Sequence, residues 1–550
     1  MRGKNLATGL GAGAALAAPL AALNYLANQA FDLPFLPYTF FNWMTPLIPG
    51  PLITFGIDLM IDTMLFLRLN VADLAKTAEQ AMAVGLFLAI AALAGGLALV
   101  LFAAAGRGAS RTGLLRAAGW LPPGGFALFM IAVSVTETTR TPAVIGLGAL
   151  VALWLGALNW AAGKLRPADS PAEGRTEDRG QEPAERPEPG IAAVQQLNRR
   201  QFLITLGTAA ATITVVGSGL GVLLAADRRR RTEAVSGGSV PSHTLPNAGD
   251  PVVPAPGTRP EYTPVENHYK VFLQLEPTVI EAAGYVLPVT GMVANELMLT
   301  VDDLYNRFES FDQYVTLSCI SGRIATTLIS TTRWTGIPIQ DILAKAGVRP
   351  EARYLYIESA DGFYETVPLE RISNDRRIML CHTWDGRPLP TDHGFPCRIW
   401  IPDRFGMKQP KWIVSMELID DDRPGYWVER GWDKDAQVRT TSVIDTVAVD
   451  EMGTRDGNRI IPVGGIAWAG DRQISRVEVQ VDGGAWEAAQ LRSPLSETTW
   501  VIWRYDWSFS EGAHTFRVRC FEGDGTMQIT EQNDARPSGS TGIHSVEAEA

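Results

Sequence analysis

Two hydrophobic patterns divide the chain near residue 230. Before that point, residues 5–31, 81–106, 120–136 and 141–163 form runs without a charged side chain. A helix needs roughly 20 apolar residues to cross a bilayer, so we predict four membrane-spanning helices within an N-terminal region of residues 1–164. After residue 230 the apolar positions come in short alternating stretches, which are typical of β-strands in globular domains.

Segment 33–70 is apolar and aromatic, but its pattern differs from that of a simple span. Prolines interrupt it at positions 46, 49 and 51, and it carries Asp58, Asp62 and Arg68. Charged side chains are costly inside lipid, so we predict an interfacial or re-entrant segment. With four spans, the Lys/Arg flanks follow the positive-inside rule and leave residue 164 in the cytoplasm.

Residues 165–261 predict one further crossing of the membrane, after the four spans. Residues 165–198 are rich in Pro, Glu and Arg, which predicts a disordered cytoplasmic linker. Residues 199–227 begin with Arg199-Arg200 and continue as an uncharged run from Gln201 to Ala226, which resembles a twin-arginine export signal. The other interpretation is an ordinary fifth span, for which Arg228–Arg231 form a poor outer flank. Residues 228–261 predict a flexible linker, and we expect the following domain on the extracytoplasmic side of an inner membrane.

The remaining residues predict two globular domains and a tail. Residues 262–440 mix short strand patterns with a helix over Ile339–Ala346 that Gly347 ends, which indicates an α+β domain. Residues 441–532 alternate in short stretches separated by Gly/Asp turns, which predicts an all-β sandwich. Residues 533–550 are expected to form a disordered tail. The predicted fold class is therefore a helical transmembrane bundle followed by an α+β domain and an all-β domain.

Cys319 lies in the most informative stretch of the α+β domain. An apolar strand pattern ends directly before it, and a Ser-Gly turn follows it. A thiolate is a strong ligand for soft metals, whereas a lone cysteine is more often a buried thiol. The four cysteines, Cys319, Cys381, Cys397 and Cys520, include no CxxC pair, so the sequence encodes no zinc or iron–sulfur framework. The sequence leaves open whether Cys381 and Cys397 form a disulfide.

Five motifs favour the metal-ligand interpretation of Cys319. They are Leu317-Ser318-Cys319-Ile320-Ser321, Arg333-Trp334-Thr335-Gly336-Ile337-Pro338, Ala360-Asp361-Gly362-Phe363-Tyr364, Leu389-Pro390-Thr391-Asp392-His393-Gly394-Phe395-Pro396-Cys397-Arg398 and Phe405-Gly406-Met407-Lys408-Gln409-Pro410-Lys411-Trp412. In this order and spacing they resemble the molybdopterin-binding domain of the sulfite oxidase family. The resemblance covers residues 262–440. It extends more weakly to residues 441–532, which would be the immunoglobulin-like domain that often forms dimers in that family.

The resemblance implies a molybdenum cofactor and the residues that hold it. Cys319 would be the molybdenum ligand, and the cofactor-binding residues would be Asn267, His268, Tyr269, Ser359, His393, Arg398, Gly406, Met407, Lys408 and Lys411. Arg323 and Tyr364 would lie in the substrate pocket, with Arg333 as an alternative to Arg323. Taken alone, these residues are also compatible with structural roles, such as solvated charges, a turn for His393 and packing for Tyr364.

The implied reaction moves an oxygen atom and two electrons between water and a small sulfur oxyanion or a sulfoxide. No histidine lies in the membrane runs and no CxxCH sequence occurs, so we expect no haem in this chain. The electrons then require a separate partner, either a cytochrome or a quinone-linked protein. Whether the chain forms a homodimer through its C-terminal domain is open.

Other function classes fit the sequence less well. The net charge of −11 gives no indication of nucleic-acid binding. A non-catalytic scaffold with the molybdopterin fold would not need Cys319. A transporter would need polar groups along a path through the bilayer, and only Asp58 and Asp62 offer them.

Overall fold

A computed structural model describes residues 2–31, 33–49, 71–105, 112–137, 141–165, 204–225, 244–455 and 457–550, with residue 201 and a few single positions between 52 and 67. The chain divides into two compact units. One consists of residues 1–49 and 77–237, and its described residues are mainly helical. The other consists of residues 50–76 and 238–550 and holds the described strands.

The first unit is a bundle of apolar helices. The backbones of helices Arg2–Phe31 and Val71–Ala105 pack closely against each other at Gly13. A Cβ atom added there would lie 2.4 Å from the Ala92 carbonyl oxygen, so only glycine fits. Small residues at such crossings allow membrane helices to pack closely. The other helical segments are Leu36–Met44, Thr45–Leu47 (a 3-10 turn), Thr112–Glu137, Thr141–Leu165 and Ile204–Ala225.

Four described helices are long and apolar enough to cross a membrane, which indicates membrane insertion. They are Leu10–Phe31, Lys76–Leu101, Pro142–Ala161 and Ile204–Ala225. The first three correspond to predicted spans, and the fourth is the run that follows the twin-arginine-like motif. The predicted span 120–136 is instead a shorter apolar stretch, Gly119–Val133, in a helix that contains Pro122 and Pro123.

Several predicted features lie outside the described residues. These are Asp58, Arg199, Arg200, Arg228–Arg231, the linker 165–198 and the first part of the linker 228–261. The disorder predicted for the first linker and the export signal therefore stay predictions.

The central domain has two five-stranded sheets. Its strands are β1 (Val286–Gly291), β2 (Leu297–Thr300), β3 (Phe311–Ser318), β4 (Ile329–Pro338), β5 (Tyr354–Ser359), β6 (Tyr364–Pro368), β7 (Met379–Trp384), β8 (Arg387–Pro388), β9 (Arg398–Trp400) and β10 (Ile413–Ile419). One sheet has the order β2-β1-β10-β5-β6, and the other has the order β3-β4-β7-β8 with β9 paired to β7. β1 and β10 run parallel, while β3 and β4 pair antiparallel with Ser318 opposite Ile329.

Short helices and turns connect these strands at positions that the local sequence explains. The helices are Val301–Asn306, Ile339–Ala346 and Leu369–Asn374, and the 3-10 turns are Val265–Asn267, Thr391–His393 and Gly406–Lys408. Thr300 and Asp303 form a capping box at the start of the first helix. The predicted helix Ile339–Ala346 is confirmed and ends at Gly347, whose φ of 67° is left-handed.

The C-terminal domain consists of two sheets that share one apolar core. Its strands are β11 (Thr441–Val447), β12 (Gly453–Arg455), β13 (Asn458–Trp468), β14 (Ile474–Val481), β15 (Trp486–Ala488), β16 (Gln490–Leu491), β17 (Val501–Ser508), β18 (Ala513–Glu522) and β19 (His544–Glu549). The sheets have the orders β11-β13-β17-β16 and β15-β14-β18-β19, and β12 joins the first. Ile461 and Trp503 of one sheet meet Val479 and Phe516 of the other. The two-sheet arrangement was predicted, and the immunoglobulin-like assignment stays a prediction.

The prediction that residues 533–550 form a disordered tail is wrong. β19 pairs with β18, and Phe516 lies opposite Val546. The alternating residues Val546 and Ala548 pack against the core of the C-terminal domain. Two apolar side chains on alternate positions are enough to complete a sheet edge, although the segment as a whole is polar.

Part of the predicted flexible linker 228–261 is also ordered, because residues 244–261 bind the C-terminal domain. Asn247 donates to the carbonyl oxygen of Ser493 at 2.5 Å, and Arg492 donates to Glu261 at 2.9 Å. These contacts are polar, so the hydrophobic pattern gave no sign of them. Cys381 and Cys397 are free buried thiols and form no disulfide.

Candidate active site

Cys319 lies at the end of β3, in the turn that leads to β4. Its backbone N–H donates to the Leu328 carbonyl oxygen at 3.0 Å, and its carbonyl oxygen accepts from Gly322 N–H at 3.1 Å. The residue is half-buried, and its Sγ atom lies 3.1 Å from Ser321 Oγ. Burial raises the pKa of the Cys319 thiol, and the Ser321 contact opposes that rise. A nearby cation or metal would favour the thiolate that coordinates metals.

A small cavity of about 40 Å³ opens beside Cys319. Three arginines line it: Arg259, Arg323 and Arg439. Arg259 forms an ion pair with Asp445 at 2.6 Å, and Arg323 pairs with Asp62. The Nε atom of Arg439 donates to the Ser538 carbonyl oxygen at 2.9 Å. The cavity therefore places three guanidinium groups near the thiol, of which Arg259 and Arg323 are paired with carboxylates.

A second group of polar residues, the histidine–arginine cluster, consists of His268, His393 and Arg398. The two imidazole rings are 5.1 Å apart, and Arg398 Nη1 donates to the His393 carbonyl oxygen at 3.3 Å. Trp334 lies 4.4 Å from the Arg398 guanidinium, and Trp384 lies within 4.8 Å of both imidazole rings. The tryptophans exclude water from one side of these polar groups.

The cluster has hydrogen-bonding capacity that the protein leaves unused. His268 Nε2, His393 Nε2 and Arg398 Nε are buried and have no hydrogen-bond partner among the described residues, and the same holds for Ser359 Oγ. Buried polar atoms without a hydrogen-bond partner are uncommon in native proteins, because each one lowers the stability of the fold. A polar ligand would satisfy them.

Burial perturbs the protonation of the cluster. It lowers the pKa of His268 to about 3 and the pKa of His393 well below its usual value, so both imidazoles are neutral at pH 7. Burial also lowers the pKa of Arg398 to about 10, which leaves the guanidinium charged. Burial, together with the nearby Arg398, lowers the pKa of Lys411 as well. An anionic ligand would reverse part of these shifts.

Lys411 and Lys270 extend the positive charge beyond the histidine–arginine cluster. Lys411 Nζ donates to the carbonyl oxygens of Val271 and Asp392, at 3.1 and 3.2 Å. Lys270 pairs with the Asp392 carboxylate at 2.5 Å. The Asp392 carboxylate thus pairs with Lys270, whereas Lys411 donates to carbonyl oxygens and can also bind a phosphate group.

Two glycines permit this close packing. Gly394 has a φ of 109°, and a Cβ there would come within 3.0 Å of Lys411 and 3.3 Å of Arg398. A Cβ at Gly406 would lie 3.2 Å from the Tyr269 hydroxyl and 3.5 Å from the Ser318 carbonyl oxygen. Gly406 and Tyr269 therefore lie directly behind the residue that precedes Cys319.

Most of the predicted cofactor residues come together in the fold. His268, His393 and Arg398 form one cluster, Tyr269 stacks on His268 with ring centres 5.1 Å apart, and Lys411 borders the cluster. Ser359 is buried at the end of β5, opposite Ile413. Met407 is buried near Ile320, in a separate apolar cluster, and Asn267 is exposed at the end of its 3-10 turn.

Three predicted residues have other partners. Lys408 forms a buried ion pair with Glu365 at 2.5 Å and lines a different cavity. The Tyr364 hydroxyl donates to Glu429, and its ring contacts Tyr356 and Tyr426. Arg333, the alternative to Arg323, lies 3.6 Å from Asp385 and 3.7 Å from Asp312. Among the described contacts, none brings Lys408 or Tyr364 to the Cys319 cavity.

Comparison with known proteins identifies the central domain. The family profile of the oxidoreductase molybdopterin binding domain matches residues 274–427. Mitochondrial sulfite oxidase of Homo sapiens is 27% identical over 281 residues, which cover 43% of this chain and 51% of that protein. The domain belongs to the sulfite oxidase family. It is therefore a molybdopterin-binding oxidoreductase domain, and its cofactor is a molybdenum cofactor.

Two further proteins resemble this chain; residues 262–440 are called the molybdopterin domain below. The putative protein-methionine-sulfoxide reductase subunit YedZ1 of Azospira oryzae is 28% identical over 153 residues, 28% of this chain and 56% of that protein. The sulfane dehydrogenase SoxCD from Paracoccus pantotrophus superimposes with a TM-score of 0.46 and 21% identity, over 57% of this chain and 93% of that chain. The chain spans about half the length of the first curated relatives it matches.

The residues present fit a molybdenum cofactor. The unpartnered atoms of His268, His393, Arg398 and Ser359 offer hydrogen bonds to a polar ring system, and Lys411 offers charge to a phosphate. Cys319 offers a soft ligand at the edge of the same domain core, where it packs near Tyr269. The donor set therefore matches the chemistry of a molybdopterin that carries a soft metal.

Several residues of the site escaped the sequence analysis. Trp384, Lys270 and Asp392 complete the cofactor pocket, and Arg259 and Arg439 complete the Cys319 cavity. Lys270 directly follows His268 and Tyr269, and Asp392 precedes His393, so a search for charge next to the motifs would have found both. Arg259 and Arg439 lie outside the five motifs, and no local pattern marks them.

Acid should destabilise the cofactor-free protein through His268. Its pKa falls from about 6.5 in the unfolded chain to about 3 in the folded one, so the unfolded state binds the extra proton as the pH drops below 6.5. Stability is therefore lost between about pH 6.5 and pH 3, with a slope approaching about 1.4 kcal/mol per pH unit. In a His268→Gln variant, the fall in the thermal midpoint between pH 7 and pH 5 should be smaller. An equal fall in both proteins would refute the assignment.

Proposed function

We propose that this protein is a membrane-anchored molybdenum-cofactor oxidoreductase that transfers an oxygen atom to or from a small sulfur oxyanion or a sulfoxide. One observation carries the proposal: Cys319 adjoins both an arginine-lined cavity and a domain core that also holds unpartnered polar atoms. The first suits a small anionic substrate, and the second suits the cofactor.

Each part of the site then has a task. Cys319 coordinates the molybdenum, and His268, His393, Arg398, Ser359 and Lys411 hold the pterin and its phosphate. Gly406 lets the backbone come close to the cofactor, and Tyr269 and Met407 pack near the turn that holds Cys319. Asn267 and Lys408 would contribute less to cofactor binding. The bound cofactor supplies the transfer of an oxygen atom and two electrons. Trp334 and Trp384 keep water away from the cluster, so its charges act in a medium of low dielectric.

The choice of substrate class rests on charge. An oxyanion requires cations near Cys319, and Arg323 is one of the three arginines that line the cavity. A sulfoxide is neutral and needs no such cations, but the name of the Azospira relative keeps this class as the second candidate. Tyr364 could bind either substrate only if its hydroxyl gave up the hydrogen bond to Glu429 and donated to the substrate instead.

The electrons pass to or from a separate redox partner, a cytochrome or a quinone-linked protein. The six histidines of the chain are absent from the apolar helices, so those helices offer no histidine pair for a haem. We place the chain in the inner membrane as a multi-pass protein, with the molybdopterin domain on the extracytoplasmic side, exported after cofactor insertion. The C-terminal domain is the proposed surface for a homodimer.

Activity of the purified full-length chain tests the proposal. The protein is produced in a host that makes the cofactor and is assayed with sulfite plus an artificial electron acceptor, and with dimethyl sulfoxide plus an artificial donor. Turnover of sulfite supports the oxyanion class, and turnover of the sulfoxide supports the second candidate. A molybdenum-loaded chain that turns over neither compound contradicts the proposed reaction.

A further inference from the structure

We propose that a second cavity of the molybdopterin domain, between β6 and the 3-10 turn Gly406–Lys408, binds inorganic phosphate in a protonated form. The cavity has a volume of about 190 Å³ and shares no lining residue with the cavity beside Cys319 in the described part of the chain. The site does not depend on the reaction proposed above. Its decisive feature is a buried carboxylate, that of Glu365, with one unpartnered oxygen.

Glu365 lines this cavity and uses only one of its two oxygens. Oε1 accepts from Lys408 Nζ at 2.5 Å and from the Thr366 N–H at 2.8 Å. Oε2 is buried and has no hydrogen-bond partner among the described residues. Gly425 also lines the cavity and leaves the carboxylate uncovered, because a Cβ there would lie 2.5 Å from Oε2. A ligand in the cavity satisfies Oε2 only if it donates a hydrogen bond.

Two arginines that line the same cavity share one carboxylate. Arg371 Nη2 donates to Asp435 at 3.0 Å, and Arg404 Nη2 contacts both oxygens of Asp435, at 2.9 and 3.0 Å. Arg404 also pairs with Asp403 at 3.1 Å. Burial and the neighbouring Arg404 lower the pKa of Arg371, and the carboxylates of Asp435, Asp403 and Asp471 do not offset this effect. An anion beside Arg371 would favour its charged form.

The more exposed charges of the cavity already have partners. Lys434 forms an ion pair with Asp422, and its side chain is 64% exposed. Arg423 pairs with Glu417 at 3.2 Å and with Asp421 at 3.1 Å. Water and salt screen such exposed pairs, so they form a polar entrance, while the buried groups select the ligand.

The buried groups define the class of ligand. Arg371 and Arg404 favour a negative charge, whereas Oε2 of Glu365 requires a donor, so the ligand is an anion that carries a proton. Inorganic phosphate meets both conditions, because it is an anion that keeps an acidic proton at pH 8. A volume of about 190 Å³ has room for it together with bound water.

Two related anions lack the required proton. Sulfate has the same tetrahedral shape, but every oxygen it could present to Oε2 of Glu365 is an acceptor, so the contact is repulsive. A phosphate monoester loses its last proton with a pKa of about 6 and meets the same repulsion at pH 8. Selectivity among these three anions therefore reports directly on the Glu365 carboxylate.

Calorimetry on the purified full-length protein in detergent at pH 8 tests the site with three probes: inorganic phosphate, sulfate and methyl phosphate. The variants are Glu365→Gln and Arg371→Gln, and Glu358→Gln is the control because it removes an exposed carboxylate of the neighbouring strand β5. Arg371 is only partly buried, so its variant provides the test if Glu365→Gln fails to fold.

We expect the wild type to bind phosphate about 100-fold more tightly than sulfate or methyl phosphate, because both leave Oε2 without a donor. Glu365→Gln should reduce this preference to less than about 10-fold, since its amide can donate to all three anions. Arg371→Gln should bind phosphate about 10-fold more weakly, because it loses a charge-assisted contact. The control should match the wild type.

A wild type that binds no phosphate, or that binds sulfate as tightly, would overturn the proposal. Unchanged selectivity in Glu365→Gln or unchanged phosphate affinity in Arg371→Gln would also overturn it. Tighter binding of methyl phosphate than of phosphate would contradict the choice of free phosphate and indicate an esterified ligand, such as a nucleotide or a lipid headgroup.

Discussion

Replacing Cys319 with serine should lower turnover at least about 100-fold, because even outer-shell changes at metal sites cost 10- to 100-fold and this change removes a ligand. The fold should survive, since Cys319 is half-buried and its Sγ, apart from packing, hydrogen-bonds to one side chain among the described residues, that of Ser321. We therefore expect the thermal midpoint of the cofactor-free variant to match that of the wild type. The measurement is turnover per bound molybdenum, which separates loss of chemistry from loss of cofactor.

Cys520→Ala provides the control for the cysteine experiment. Cys520 is a buried thiol in the core of the C-terminal domain, far in sequence from the five motifs. Its loss should cost stability, by about 1 to 2 kcal/mol for a small buried group, and leave turnover per molybdenum unchanged. Equal turnover in Cys319→Ser and the wild type would show that Cys319 is an ordinary buried thiol.

Replacing Arg398 with methionine should separate cofactor binding from protein stability. Arg398 is buried against Trp334 with one Nε–H unpartnered, and burial lowers its pKa to about 10. Without the cofactor, the protein carries the cost of burying this cation, and an apolar side chain of similar length removes that cost. We expect the cofactor-free variant to be at least as stable as the wild type, while the fraction loaded with cofactor falls about 10- to 100-fold under limiting cofactor.

The readouts for Arg398→Met are the molybdenum and pterin content per chain and the thermal midpoint of each form. Arg476→Met serves as the control, because Arg476 also stacks on an aromatic ring, that of Phe521, but on the C-terminal domain. A variant that keeps its full cofactor content would remove Arg398 from the cofactor site. A large loss of stability in the cofactor-free form would instead make Arg398 a structural residue.

The sequence predicted the elements whose local signals agree with the fold. The alternating run before Cys319 became β3, and the helix Ile339–Ala346 ended at Gly347 as expected. The error at the C-terminus has a clear cause. β19 forms through backbone bonds to β18 and two small apolar side chains, so its stability depends on a partner strand that no local pattern reveals.

In the candidate site, too, the sequence revealed the residues with local motif signals and missed those whose position depends on distant partners. His268, His393 and Arg398 were named from motifs and lie together. Lys408 carried the same motif signal, but its long side chain reaches the buried carboxylate of Glu365. Arg439 gave no signal, because its place at the cavity depends on Ser538, which the fold brings to it from 99 positions away. Local sequence indicates which residues can bind a cofactor, whereas partners distant in the chain determine which charges are free.

The most direct test of the account is X-ray absorption at the molybdenum edge of the purified full-length protein and of Cys319→Ser. We predict molybdenum in both, with one fewer sulfur ligand in the variant, because Cys319 supplies one of them. The same number of sulfur ligands in both proteins, or a folded wild type without molybdenum despite a cofactor-producing host, would contradict the central claim.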